Sequence, residues 1–441
     1  MDIDEHVVAI LNELVPKARY ERRGRNIAGA DYRSIWNSPV PALSHAWIFA
    51  EVTLPDGFEK LTDALRLMLK PFITSLDGKE LVHTKIGLVA AGFGGPTELD
   101  RFARQVLTSA VLIGPARTVK LLREWANGEP VRYTRFTVLS GFRIEGDQPK
   151  FPVEDGLTIQ SLPSSQDQLL ALGAPEMWVG SPIPFSPLPL GGPQIYGSPA
   201  MVTEMALGPL FSQAQEVPLE NKSVASGPFG LNDPSFHALS LACNSPVSPS
   251  CGWSRIPVDV QSFVPWARFA PNRVVLSGGD HTIFAPSPTL THDSLGEAIE
   301  LCHKLVEHGL GNNARTALAR WTKSMQGQFA DRFIDLRIAL EALYAPDGGS
   351  GEISYRVQTR CARHMAHSFD DRMAIAKEVK RFYNTASRFA HGSMSVTDGS
   401  TPEPKHEQQL ERARAICRYA LTKIIEQNKG RDINVDRVTL A

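Results

Sequence analysis

The chain is poor in cysteine, in net charge and in long apolar runs, and each shortage argues against a class of protein. Its five cysteines are scattered, odd in number and never spaced Cys-x-x-Cys, which argues against a disulfide framework and against a structural zinc site. No apolar stretch approaches the roughly 20 residues that a membrane-spanning helix needs. The formal net charge is -1, so any surface that binds nucleic acid must be local.

The N-terminal stretch, MDIDEHVVAILNELVPKARYERR, lacks the basic segment and apolar core of a secretory signal peptide. Together with the cysteine usage, this predicts a protein of a reducing, cytoplasmic compartment with no membrane association. The 441 residues exceed what one hydrophobic core usually holds, so we expect two or three domains.

The pattern along the chain predicts an α+β fold, with a mixed α/β and β-rich N-terminal region followed by an all-α helical bundle. Residues 1–150 are expected to form an α/β domain, because helix signals alternate with strand signals there. Its helices are predicted at 57–75, 97–112 and 115–126, and its last extended run at 131–144.

Residues 151–290 are predicted to be a β-rich domain or an extension of the first. Six prolines and three glycines over 181–199 make regular helix improbable there. Strand-like runs are expected at 156–162, 254–264 and 272–284.

Residues 291–441 are predicted to form an antiparallel bundle of five or six helices with short connections. Its first helix is expected to be capped at Asp293. Another is expected to begin at Ser368, which forms a capping-box-like pair with Asp371, and to end at His391 before Gly392, a natural C-cap.

Basic residues are concentrated in the second half of this bundle. Between Arg356 and Arg388 eight basic residues stand against three acidic ones. Such a density can hold a phosphodiester backbone, chiefly through counterion release. A solvated helix face with pairs four residues apart explains the same charges equally well.

His391 adds a reactive group to this charge. Ser387 and Arg388 lie four and three residues before it, hence on the same side of a helix. An imidazole can take the proton from a ribose 2′-hydroxyl, and a guanidinium can stabilise the charge that grows on the phosphate oxygens. The alternative is a C-terminal histidine that is stabilised only by the helix dipole, which is common.

The stretch 331–393 resembles the Apea-like HEPN domain family. The resemblance rests on RFIDLRIALEALY at 332–344, on Arg356 and Arg360, and on YNTASRFAHG at 383–392. The family pattern at the last site, Tyr-x-x-Arg-Ser-x-x-x-His-Gly, is matched by Tyr383, Ser387, His391 and Gly392. About the last third of the chain is covered.

The resemblance implies a metal-independent endoribonuclease without a cofactor, acting as a homodimer through the C-terminal bundle with RNA across its two-fold axis. It suggests a prokaryotic anti-phage or toxin effector that cuts RNA, with tRNA as one candidate, and that responds to a phage-derived trigger or a regulatory partner. The residues are assigned by role: catalytic His391, Arg388, Ser387 and the residue at 386, and RNA-binding Tyr383, Arg381, Lys380, Arg360 and Arg356.

One position departs from the family pattern, because the motif arginine falls on Ala386. Arg388 could replace it, the domain could be a non-catalytic scaffold, or the chain could carry an inactivating substitution at 386. We favour the third reading, since the rest of the pattern is kept. The competing functions are a dimeric RNA-binding or partner-binding scaffold, and an antitoxin-like partner of a separate nucleotidyltransferase.

The other candidate sites in the sequence are weaker. The glycine loop GFGGPTELD at 92–100 could cradle phosphate, but it lacks the Gly-Lys-Ser/Thr of a P-loop. Cys361, His364 and His367 are spaced as metal ligands on one helix, yet buried or interface side chains explain them better. Glu341 is expected to pair with a bundle arginine such as Arg360. No Gly-x-Ser-x-Gly elbow is present.

Overall fold

The structure is a computed structural model of the 441-residue chain with an α+β fold, as predicted. Its description covers residues 2–22, 25–28, 31, 33–34, 51–83, 97–145, 151–154, 156–172, 174, 195–207, 211, 234–255, 257–261, 263, 288–346, 352–392, 403–427 and 431–434.

The secondary structure consists of helices and short strands, numbered here in chain order. The helices are α1 Ile3–Leu14, α2 Phe58–Met68, α3 Leu99–Ile113, α4 Pro115–Ala126, α5 Gln166–Ala171, α6 Pro234–Cys243, α7 Val258–Gln261, α8 His292–His308, α9 Asn312–Lys323, α10 Phe329–Tyr344, α11 Ile353–Met365, α12 Phe369–Ala390 and α13 Pro404–Gln427. The strands are β1 Arg19–Arg22, β2 Arg25–Ala28, β3 Glu51–Thr53, β4 Ile73–Leu76, β5 Lys79–Val82, β6 Thr97–Glu98, β7 Val131–Ser140, β8 Arg143–Ile144, β9 Phe151–Glu154, β10 Leu157–Ser161, β11 Pro199–Leu207, β12 Ser248–Arg255 and β13 Thr289–Leu290.

The chain divides into two compact units, each made of separate stretches. The first unit contains 1–138, 162–227 and 251–274, and the second contains 139–161, 228–250 and 275–441. These limits differ from the three contiguous domains predicted at 1–150, 151–290 and 291–441. Pairing between distant segments causes the difference: in the second unit β8 pairs in parallel with β13, and α6 packs against α8.

The first unit is built around α1 to α4. Strands β2, β1 and β3 form one antiparallel sheet in that order, and β4, β5 and β6 form another. Helices α3 and α4 lie close to the predicted ranges. The helix predicted over 57–75 instead ends at Met68: Pro71 lies in a short 3-10 turn, and Ile73 begins β4.

Extended segments beyond residue 130 lie partly where the sequence predicts them, but the strand predicted at 254–264 is wrong beyond Arg255, because Val258–Gln261 form α7. β7 and β8 occupy 131–144 with a break at Gly141, and β10 confirms the strand predicted at 156–162. β7 pairs antiparallel with β11 in the first unit, and β9 pairs antiparallel with β10 in the second. The strand predicted at 272–284 and most of the proline-rich segment lie outside the described residues.

The second unit contains the helical bundle of α8 to α13. The N-cap of α8 is Thr291, whose side chain accepts from the Ser294 amide, so the cap predicted at Asp293 is wrong by two residues. Along α10 an apolar stripe is buried, and it consists of Phe333, Leu336, Leu340 and Leu343. Within the described residues, no helix combines the length and apolarity that a membrane span requires.

Candidate functional site

Helix α12 has both ends where the sequence predicts them. At its start the Ser368 hydroxyl accepts a hydrogen bond from the Asp371 amide at 3.1 Å and donates one to the Asp371 carboxylate at 2.6 Å. At its end His391 is the C-cap, and Gly392 adopts a positive φ of 68° that favours glycine. The His391 amide donates to the Ser387 carbonyl at 3.0 Å, and the residue is exposed.

One exposed face of α12 is basic along its second half. We call it the basic stripe: Lys377, Lys380, Arg381 and Arg388, ending at His391. All five residues are exposed, and the stripe extends over about 21 Å at 1.5 Å per residue. An exposed cationic row of this length can follow several phosphates of a nucleic acid strand.

Carboxylates neutralise only part of this face. Glu378, beside the stripe, accepts from Arg381 at 2.9 Å and from Arg412 of α13 at 3.3 Å. Such exposed pairs are worth at most about 1 kcal/mol each, so an RNA phosphate can replace the carboxylate as the partner of Arg381. Ser387, beside Arg388, is partly exposed and can reach the same ligand.

Ala386 lies on the opposite, buried face of α12. Its exposed fraction is 0%, and it falls between Phe382 and Phe389 in a cluster of aromatic rings. Phe382 stacks on Phe333 of α10 with ring centroids 5.4 Å apart, and Phe389 lies 5.1 Å from the same ring. A side chain at 386 therefore points into the bundle, whereas the resemblance implies that an arginine at this position contacts phosphate.

Tyr383 is also part of the bundle interior, with 4% of its surface exposed. Its hydroxyl donates to the Glu341 carboxylate, which also accepts from Arg337 at 2.9 Å. The Arg337 guanidinium lies 5.0 Å from the centre of the Tyr383 ring. Burial and the bond to Glu341 raise the pKa of Tyr383. The residue ties α12 to α10 rather than facing RNA, and Glu341 has Arg337 as its ion-pair partner where the sequence suggested Arg360.

Arg360 and Arg356, both predicted to bind RNA, lie on α11. Arg360 is 8% exposed and donates from Nη1 to the Tyr344 carbonyl at 2.8 Å. This bond stabilises the C-terminus of α10, where backbone carbonyls lack helical partners. Arg356 is half-buried one turn earlier. The structure thus gives Arg360 a structural role and keeps Lys380, Arg381, Arg388 and His391 at the surface.

The sequence analysis did not identify His406, in the first turn of α13, as a site residue. It is 6% exposed, and its ring lies edge-on to Phe389 with centroids 6.2 Å apart. Burial lowers the pKa of His406; Glu403 opposes this shift, while Lys405 and Arg388 add to it. No local motif marks this histidine, because only the packing of α13 on α12 brings it beside Arg388.

The three side chains that could form a metal site on α11 have other surroundings. Cys361 is fully buried, and burial raises the pKa of its thiol to about 12. His364 Nδ1 lies 3.0 Å from the Tyr344 hydroxyl, and His367 is exposed beyond the helix. Within the described part of the chain no group of three metal-ligating side chains converges. The glycine loop lies outside the described residues except for its last four positions, 97–100.

His364 gives a pH-dependent prediction. Burial and the nearby charge of Lys423 lower the pKa of its imidazole from 6.5 to about 4. The unfolded state therefore binds the proton first, and stability is lost as the pH falls from 6.5 towards 4. Between pH 7 and pH 5 we expect His364→Gln to remove about 1–2 kcal/mol of this acid destabilisation, after allowance for partial exposure.

Urea unfolding at both pH values measures the effect. His367→Gln is the matched control, since His367 is exposed and follows on the same segment. Equal pH dependence in the wild type and in His364→Gln would contradict the burial argument.

At the C-terminal end of α12 an exposed imidazole and an exposed guanidinium share one face, a second histidine lies behind them, and a basic stripe leads up to them. This geometry suits binding and proton transfer at a phosphodiester. Comparison of the chain with protein-family models, with curated proteins and with solved structures found no match in any of the three.

Proposed function

We propose that the protein is a metal-independent HEPN-type endoribonuclease of the cytoplasm, and that its second unit carries the active site. The observation that supports this proposal is the exposure of His391 and Arg388 together at the end of the basic stripe. The two residues stand three apart at the capped end of α12, so backbone hydrogen bonds place both on the same side of its last turn.

In the proposed reaction RNA lies along the stripe with one phosphodiester at Arg388. His391 takes the proton from the adjacent ribose 2′-hydroxyl, and the 2′-oxygen forms a bond to phosphorus. The bond to the 5′-oxygen breaks and that oxygen takes up a proton, which leaves a 2′,3′-cyclic phosphate on one product and a 5′-hydroxyl on the other. Arg388 stabilises the charge on the phosphate oxygens, and Ser387 orients them.

The burial of Ala386 bears on the three explanations for an alanine where the family pattern has arginine. An arginine at 386 would have to enter the aromatic cluster, whereas Arg388 is already exposed beside His391. We therefore assign the electrostatic role to Arg388. The wider expectations remain part of the proposal: a homodimer through the bundle, RNA across its two-fold axis, and an anti-phage or toxin role released by a phage component or a regulatory partner.

The second candidate is a dimeric RNA-binding or partner-binding scaffold without catalysis. It is favoured by the same alanine, because the chain has no arginine at the family position while the basic stripe is complete. This candidate requires RNA affinity that falls with salt and no cleavage at any concentration.

Cleavage of RNA in the presence of EDTA separates the two candidates. We expect the wild type to release products with 2′,3′-cyclic phosphate ends. His391→Ala should slow this reaction by about 10²–10⁴-fold, the usual contribution of a general base. Arg388→Ala should slow it by about 10²–10³-fold, as removal of a charge-stabilising donor does.

The chain offers close controls for both variants. His308 ends α8 immediately before Gly309, which also has a positive φ, and it lies beside Glu307 rather than an arginine. His308→Ala and the exposed Lys323→Ala should therefore cleave like the wild type. RNA binding without cleavage in every variant would support the scaffold and contradict the enzyme.

A further inference from the structure

A second imidazole lies close to the proposed base. Thr385 of α12 donates to the Gln409 side chain of α13 at 2.9 Å, and Phe389, one turn on, contacts His406. The two helices are thus antiparallel, and the beginning of α13 lies alongside the end of α12. His406 and His391 both fall within one turn of Phe389.

Arg388 lies between these two histidines. Successive residues of an α-helix are rotated by about 100° around its axis. Phe389 faces α13, His391 lies on nearly the opposite side of α12, and Arg388 lies between these two directions. Arg388 is also near enough to His406 to repel its charged form. A phosphodiester held by Arg388 would therefore have one imidazole on each side.

Among the described residues, the His406 ring contributes to the fold through packing alone. Among the described residues no group forms a hydrogen bond with it, and its ring nitrogens are not sealed from solvent. The residue is 6% exposed, so its ring is held in place by packing while its nitrogens stay open to a hydrogen bond with a ligand.

We propose that His406 is the general acid of the site, so that a single subunit holds both proton-transfer groups; this inference rests on the ribonuclease function proposed above. His391 accepts the proton of the 2′-hydroxyl as the 2′-oxygen bonds to phosphorus. His406, in its protonated form, gives a proton to the 5′-oxygen as the phosphorus bond to that oxygen breaks. One proton is taken up and one is released, and no metal or redox partner is needed.

The charges around His406 fit this role. Arg388 of α12 and Lys405 of α13 disfavour the protonated imidazole, and Glu403 favours it. A bound phosphodiester adds negative charge beside Arg388 and so favours the protonated form when substrate is present. Substrate thus opposes the repulsion of the charged imidazole by Arg388 and Lys405.

A sulfur-substituted RNA tests the assignment, because a thiolate leaves without a proton while an alkoxide does not. The wild type first identifies a cleavage site, and that site is made with sulfur in place of the 5′-oxygen. We expect His406→Gln to cleave the oxygen substrate about 10²-fold or more slowly and the sulfur substrate nearly as fast as the wild type. His391→Gln should stay slow on both.

His406→Phe is the second variant, since it keeps the aromatic contact with Phe389 but cannot donate a proton. It should reproduce the pattern of His406→Gln. Wild-type rates in both His406 variants on the oxygen substrate, or equal losses on both substrates, would overturn the general acid. A wild type that cleaves neither RNA would instead defeat the proposed ribonuclease itself, and this inference with it.

Discussion

Ala386→Arg is expected to lower the free energy of unfolding by about 3–5 kcal/mol, because it places a guanidinium without a partner in the bundle interior. The position has 0% exposure, and Phe382 and Phe389, one turn to either side of it, both pack against the ring of Phe333. Unfolding by urea, followed by circular dichroism, measures the loss. The same variant should gain no RNA cleavage, since its arginine cannot reach the stripe.

Asn384→Arg is the matched control. It adds the same side chain to the same helix two residues earlier, where the chain is exposed beside the basic stripe. We expect a change in stability of less than about 0.5 kcal/mol. A stable Ala386→Arg protein that cleaves RNA faster than the wild type would show that arginine belongs at 386, and it would return the electrostatic role from Arg388 to that position.

Gly141→Ala is the second change with a large expected effect. Gly141 separates β7 from β8 with a φ of 103°, and a Cβ there would lie 2.2 Å from the Pro246 carbonyl oxygen. A left-handed backbone and an overlap with rigid backbone both oppose the substitution. We expect a loss of about 3–4 kcal/mol in the free energy of unfolding, measured by urea titration.

Gly309→Ala separates the effect of backbone strain from that of steric overlap. Gly309 has a φ of 67°, yet a Cβ there meets nothing within 4 Å. With a ψ of -165° its backbone lies in a region that only glycine adopts readily, so the change should cost about 1–3 kcal/mol from backbone strain alone. Equal losses at the two glycines would contradict the close approach of Pro246 to Gly141.

Local chemistry determined much of the helical part of this protein. The Ser368 and Asp371 cap and the glycine at 392 each depend on contacts within a few residues, and both have the predicted structure. The apolar residues of α10 recur at helical spacing and are buried. A helix end or a buried stripe depends on periodicity and on capping groups, so the sequence alone places them. The exposure of His391 follows from the same rules.

Tertiary packing decided which motif residues face solvent and which segments share a unit. A pattern of spacings cannot show that Ala386 is buried or that Tyr383 donates to Glu341. Nor can it show that α13 brings His406 close to Phe389 and Arg388. Likewise, no local signal pairs residues 143–144 with 289–290. Such contacts join residues far apart in the chain, and their energies depend on the shape of the whole core rather than on any short stretch of sequence.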